Sequence, residues 1–122
     1  MNKFNIAYVN EQPPYLNRHP PSLPHPPETT AHKVVVFSKT YCPYASKAKQ
    51  TLQSEGAVFH IVELDQRNDG GEIQAALGDL TGRRTVPNVF FDSKSIGGGD
   101  DTVALARSGK LREMLSTLGA LK

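Results

Sequence analysis

Cysteine is almost absent from this sequence. Cys42 is the single thiol among 122 residues. That excludes an internal disulfide framework and any metal centre built from several thiolates of one chain. A thiol that stays free fits a reducing compartment such as the cytosol, so a cytoplasmic location is expected. No apolar stretch approaches the roughly 20 residues needed to cross a bilayer. There is no basic run, no heptad array and no internal repeat, and the formal charge is only +2. Nothing electrostatic therefore draws the chain to nucleic acid or a membrane, and neither is expected as a partner. The length suits one domain. With 38% hydrophobic and 21% charged residues, the composition is that of a globular protein carrying some unstructured sequence.

Proline is plentiful but confined. Seven of the nine prolines fall between Pro13 and Pro27. Such density removes backbone donors and favours extended polyproline geometry over packed elements. Residues 1–30 are expected to be a flexible leader, and 31–122 the domain. The leader's charges cancel, Lys3 and Arg18 against Glu11 and Glu28. It has no apolar core of a secretory signal and is a poor transit peptide. It reads as a linker, an expression scar or a ligand for proline-binding modules.

Within the domain, "KVVVF" (33–37) has the pattern of a strand buried on both faces. Residues 43–55 favour helix, with Ala45, Ala48 and Leu52 on one stripe and Pro43 in the first turn, where its missing N–H costs nothing. "VFHIVEL" (58–64) is the next strand, and the βαβ order predicts parallel pairing with a right-handed crossover. Asp69 offers an N-cap with Glu72 three residues on, as in a capping box. Ile73, Ala76, Leu77 and Leu80 then form an apolar helix face. "NVFFD" and "KSI" (88–92 and 94–96) read as a hairpin. Helical pattern runs from about Asp101 to Leu118, interrupted near Gly109, with Leu111, Met114, Leu115 and Leu118 on its apolar side. The order is β-α-β-α-β-β-α, a small mixed sheet with helices on both faces.

Cys42 precedes a helix. There its sulfur can face unpaired first-turn N–H groups and the positive end of the helix dipole. Both favour the thiolate, which is the nucleophile, and Lys39 adds positive charge. The alternative is a buried structural cysteine, but that belongs on an apolar stripe, and Cys42 lies beside Pro43 and two tyrosines. In "RRTVPN" (83–88), Pro87 is either a cis residue that leaves the Val86 backbone open to a ligand or an ordinary strand-initiating proline. In "IGGGDD" (96–101), a glycine run meets two acids at a helix start. That suits a carboxylate on backbone N–H groups with an acid for an ammonium, and equally a hinge with a capping Asp.

Taken together, these segments resemble glutaredoxins. "YCPYA" matches the C-P-Y-C active site at three of four positions. "TVP" (85–87) and "GG" with "DD" (97–98, 100–101) recur at the family's spacing. "ELDQRNDGGEIQAAL" and "LTGRRTVPNVFF" look like the plant and fungal dithiol type, whereas the C-G-F-S signature of the cluster-carrying monothiol class is absent. The resemblance covers about residues 32–120. It implies an α/β thioredoxin fold, a four-stranded mixed sheet in order 2-1-3-4 flanked by helices. It also implies roles. Cys42 is the nucleophile, and Lys39 and Tyr44 line a glutathione groove. Gln74, with Arg84 near it, meets the glycine carboxylate. Thr85, Val86 and Pro87 form a cis-proline loop whose Val86 backbone pairs with the cysteinyl unit. Gly98, Asp100 and Asp101 hold the γ-glutamyl end.

Two departures matter. Ala45 replaces the second active-site cysteine, and Gly99 stands where many relatives carry a further one. Alanine cannot resolve a mixed disulfide, so the two-thiol route is closed within this chain. Ala45 is either the native residue or an introduced Cys→Ala replacement, and both readings fit. The expected activity is reduction of glutathione mixed disulfides by one thiol, in a monomer, with glutathione as co-substrate and no metal. Its partners are then glutathione and glutathionylated proteins or small mixed disulfides. The rival is a dimer sharing a glutathione-ligated [2Fe–2S] cluster as carrier or sensor. A non-catalytic glutathione-binding or interaction module is the third reading.

Overall fold

A computed structural model describes residues 26–122. The expected leader lies outside the described residues except for 26–30, and those residues are folded. Pro27–Ala31 form a short helix, α1. Pro27 takes a first-turn position where no N–H is needed. Thr29 is only 2% exposed. Its carbonyl accepts the Ser93 hydroxyl at 2.9 Å, and Arg67 reaches Glu28 at 2.8 Å. Residues 26–30 therefore pack with the folded unit. A buried threonine and an ion pair outweigh the local proline density.

Strand β1 (Val34–Ser38) is buried along its whole length, as its β-branched run requires. It pairs in parallel with β2 (His60–Glu63), Val36 opposite Ile61. On its other side it pairs antiparallel with β3 (Asn88–Phe91), Val36 opposite Val89. Strand β4 (Lys94–Gly97) closes the hairpin. The turn between β3 and β4 puts Asp92 and Ser93 at φ 52° and 66°, the double positive φ that matches strand twist in a two-residue turn. The sheet order is β2-β1-β3-β4. The α/β sheet is mixed and flanked by helices, the thioredoxin fold.

Helix α2 (Pro43–Ser54) buries Ala45, Ala48 and Leu52, the stripe read from the sequence. With α4 (Gly99–Arg107) and α5 (Lys110–Leu118) it covers one face of the sheet, where Leu52, Leu111 and Leu115 meet Val34, Val36 and Val89. The interruption at Gly109 is a true break, at φ 82°, so the C-terminal pattern is two helices. Helix α3 (Gly70–Thr81) covers the other face, where Ile73 and Leu77 meet Val35, Phe37 and Phe90. Phe37 and Phe90 pack edge to face at 5.5 Å, a favoured aromatic geometry.

Two local expectations change. A 3₁₀ turn, Leu64–Gln66, follows β2. The capping box at Asp69 does not form: Asp69 is the N-cap of α3 without a side-chain cap bond. Its carboxylate is instead gripped by Arg67 through Nε at 2.7 Å and Nη2 at 2.9 Å. A charged fork two residues upstream outcompetes a neutral N–H for the same oxygens. Among the described residues, no helix is long and apolar enough to cross a membrane.

Candidate active site

Three connections converge at one end of the sheet, after β1, before β3 and between β4 and α4. The first presents Cys42. The Cys42 N–H donates to the Lys39 carbonyl at 3.0 Å, closing a tight turn. Thr40 anchors that turn to the end of β2: its N–H donates to Asp65 Oδ1 at 3.0 Å and its hydroxyl donates to Oδ2. The Thr40 hydroxyl, then its N–H, hold the Asp65 carboxyl below the ordinary range, and nearby Lys39 adds to the effect. Cys42 is the N-cap of α2 in extended conformation, with Pro43 at the first helical position. Its sulfur makes no cap bond; as a thiol it points at the Val86 carbonyl, 3.7 Å away. Tyr41 and Tyr44 flank it, 71% and 59% exposed.

The second connection carries the cis Val86–Pro87 peptide. It is held from behind by Asn88, which is 1% exposed. Asn88 Nδ2 donates to Thr81 Oγ1 at 3.3 Å and the Arg83 carbonyl at 3.4 Å, and its Oδ1 accepts the Ser95 hydroxyl at 2.7 Å. A buried amide satisfied on both sides ties residues 81–87 to β4.

The third connection needs its glycines. Gly97 has φ 112°, and a Cβ there would fall 2.2 Å from Asp101 Oδ2. A Cβ on Gly99 would lie 2.8 Å from the Tyr44 carbonyl oxygen, so the start of α4 rests directly on the first turn of α2. Asp101 reaches back from the third position of α4 and accepts the Gly98 N–H at 2.9 Å. The same oxygen lies 3.3 Å from Arg83 Nη2.

Between these connections runs a cleft of about 490 Å³ beside Cys42. Of the residues singled out from the sequence, Tyr44, Thr85, Val86, Pro87, Gly98, Asp100 and Asp101 line it. Cys42 stands at its edge, and Lys39, Gln74 and Arg84 do not line it. Lys39 builds the Cys42 turn. Gln74 donates to the Arg84 carbonyl at 2.6 Å, and the Arg84 stem lies over Gly78 of α3. The arginine in the cleft is Arg83, which the sequence reading passed over. The doublet "RR" was the available signal, but which of two adjacent side chains turns inward is decided by the loop. Asp65 and Asn88 were also missed. Asn88 had a signal, an amide leading an otherwise apolar strand.

One cation and two carboxylates thus line a groove whose Val86 carbonyl faces the Cys42 sulfur at its edge. The arrangement suits attack by sulfur on a peptide-borne sulfur. The glutaredoxin family model matches residues 34–96. The chain is 54% identical over 92 residues to a glutaredoxin of Solanum lycopersicum, covering 75% of this chain and 85% of that one. It is 51% identical over 90 residues to glutaredoxin-C4 of Arabidopsis thaliana, covering 74% and 67%. A buckwheat glutaredoxin–glutathione complex superposes with a TM-score of 0.75 at 48% identity, over 78% of this chain and 86% of that one.

Proposed function

The chain belongs to the glutaredoxin family, and from that premise we propose that it is a glutathione-dependent thiol–disulfide oxidoreductase that reduces glutathione mixed disulfides with one thiol. The observation that carries the reading is the seating of the sole cysteine, with its sulfur 3.7 Å from the Val86 carbonyl at the edge of the cleft. The glutathione bound by the buckwheat relative supports the choice of ligand.

The Cys42 thiolate attacks the glutathione sulfur of a mixed disulfide. The old S–S bond breaks, and the substrate leaves as a thiolate that takes a proton from solvent. Cys42 now carries glutathione. A second glutathione thiolate attacks the same glutathione sulfur, releasing oxidised glutathione and restoring the Cys42 thiolate. Each exchange needs three sulfurs in line, so the protein's contribution is orientation. The carbonyl of Val86 and the N–H of that residue offer the tripeptide an antiparallel backbone partner. No second cysteine competes, so glutathione itself resolves the adduct. A reducing compartment such as the cytosol supplies the glutathione that this route consumes.

A coupled assay with glutathione, glutathione reductase and NADPH tests the reading on a small mixed disulfide. Turnover by the protein and its loss in Cys42→Ser is the expected result; no turnover by the unaltered protein sinks it. Among the described residues, no three His, Cys, Asp or Glu side chains converge on one point. A shared cluster would therefore need Cys42 from two chains and two glutathiones. Anaerobic reconstitution separates that reading: a stable visible band on a dimer favours it, and a colourless monomer favours the enzyme.

A further inference from the structure

We propose that Arg83 is a specificity-determining residue that reads the α-carboxylate of the γ-glutamyl head, working as a pair with Asp101. This rests on the glutathione reading above and assigns its amino-acid end.

Arg83 is held at its backbone by hydrogen bonds and at its head by a single ion pair. Its N–H donates to Thr81 Oγ1 at 3.1 Å. Its carbonyl accepts the Asn88 amide at 3.4 Å. Its side chain is 40% exposed and reaches into the cleft, where Nη2 lies 3.3 Å from Asp101 Oδ2. Nη1 lies 3.0 Å from the point a Gly98 Cβ would occupy, so the guanidinium sits over the start of α4. Among the described residues, Arg83 is the one cation lining this cleft. Arg84 turns the other way, onto α3.

An α-amino-acid head carries its ammonium and carboxylate on one carbon. A cation and an anion about 3 Å apart complement it charge for charge. Arg83 and Asp101 pair with each other. When the head enters, its carboxylate takes the planar fork of Arg83, and its ammonium takes the free face of Asp101. One exposed ion pair is exchanged for a four-charge ring, and no charge is left unpaired. Asp101 keeps the Gly98 N–H throughout, so the anion stays aimed. A thiol compound lacking the α-carboxylate offers Asp101 an ammonium but leaves Arg83 unanswered, and it is discriminated against.

The test is transfer onto reduced Cys42, followed by quenched-flow mass spectrometry as a function of disulfide concentration. One substrate is the mixed disulfide of glutathione with cysteamine. The other replaces the γ-glutamyl unit by 4-aminobutyryl, which keeps the amine and removes the carboxylate. Arg83→Met is expected to slow transfer from the glutathione disulfide about tenfold, mostly through half-saturation, as expected for one charge-assisted bond. Arg83→Lys recovers part of it. With the decarboxylated disulfide, the unaltered protein is already about tenfold slower, and Arg83→Met adds less than twofold. Equal losses on both substrates, no loss on either, or a gain in rate from Arg83→Met would each overturn the assignment. An unaltered protein that takes up onto Cys42 neither glutathione nor its decarboxylated analogue overturns the glutathione reading itself, which separates the two failures.

Discussion

Cys42 and Ala45 define what single residues can do here. Cys42 is half-buried at the start of α2, and Ala45, one turn on, is fully buried. In the proposed route a free glutathione must therefore resolve the Cys42 adduct, because no thiol stands beneath it. Limiting oxidised glutathione should convert the unaltered protein to a stable Cys42–glutathione adduct, seen by intact mass. Ala45→Cys should drain that adduct into an internal disulfide: the introduced thiolate attacks the Cys42 sulfur, one glutathione leaves as its thiol, and the product is two hydrogens lighter than the reduced variant. An adduct that persists undiminished in Ala45→Cys would show that position 45 is out of reach of the Cys42 sulfur. Arg83 makes the opposite point about residues. Two adjacent arginines are chemically identical in the sequence, yet one stem lies along α3 and the other faces the cleft.

At the scale of elements, the site depends on how its connections are braced. The Cys42 turn hangs on Asp65 through the paired bonds from Thr40. Asp65→Ala should leave the fold intact, since these bonds are exposed, while slowing Cys42 glutathionylation about threefold through lost orientation. A transfer rate equal to that of the unaltered protein would show the turn to be self-supporting. The start of α3 is braced by contact instead. A Cβ on Gly70 would fall 1.9 Å from the Leu64 carbonyl oxygen. Gly70→Ala must push the helix from the 3₁₀ turn and should cost about 2 kcal/mol by chemical denaturation; a variant as stable as the parent would contradict the close approach. Elements of this kind were legible where periodicity speaks: the doubly buried β1, the stripes of α2 and α3, and the hairpin all stand where residue spacing puts them. The braces were not. Thr40 with Asp65 spans 25 residues, and no local pattern announces such a pair. Asp69 shows the same limit, because a capping signature read along the chain was overridden by Arg67.

For the whole molecule, the unexpected part is α1, folded onto the domain where the proline-rich run predicted a leader. It is held by Thr29, by the Glu28–Arg67 pair and by a ring stack between His32 and His60, whose centroids are 4.0 Å apart. The stack carries a consequence for acid. His60 is held below its ordinary value first by burial and then by the His32 charge; Arg67 adds to this, and Glu28 opposes it. A histidine with a depressed folded value binds protons less readily than the unfolded chain does. The stability it contributes is complete above about 6.5, the unfolded value, and is lost as pH falls through the lower folded value. The thermal midpoint should therefore drop between pH 7 and pH 5. His60→Gln removes the titration and should flatten that part of the profile, while its midpoint above pH 7 falls through loss of the stack. Limited proteolysis should report the same event locally, with cleavage near residue 32 rising at pH 5 in the parent more than in His60→Gln. Midpoint curves that run parallel in the two proteins from pH 7 to pH 5 would remove the stack as the acid-sensitive contact and leave the Glu28–Arg67 pair to hold α1 alone.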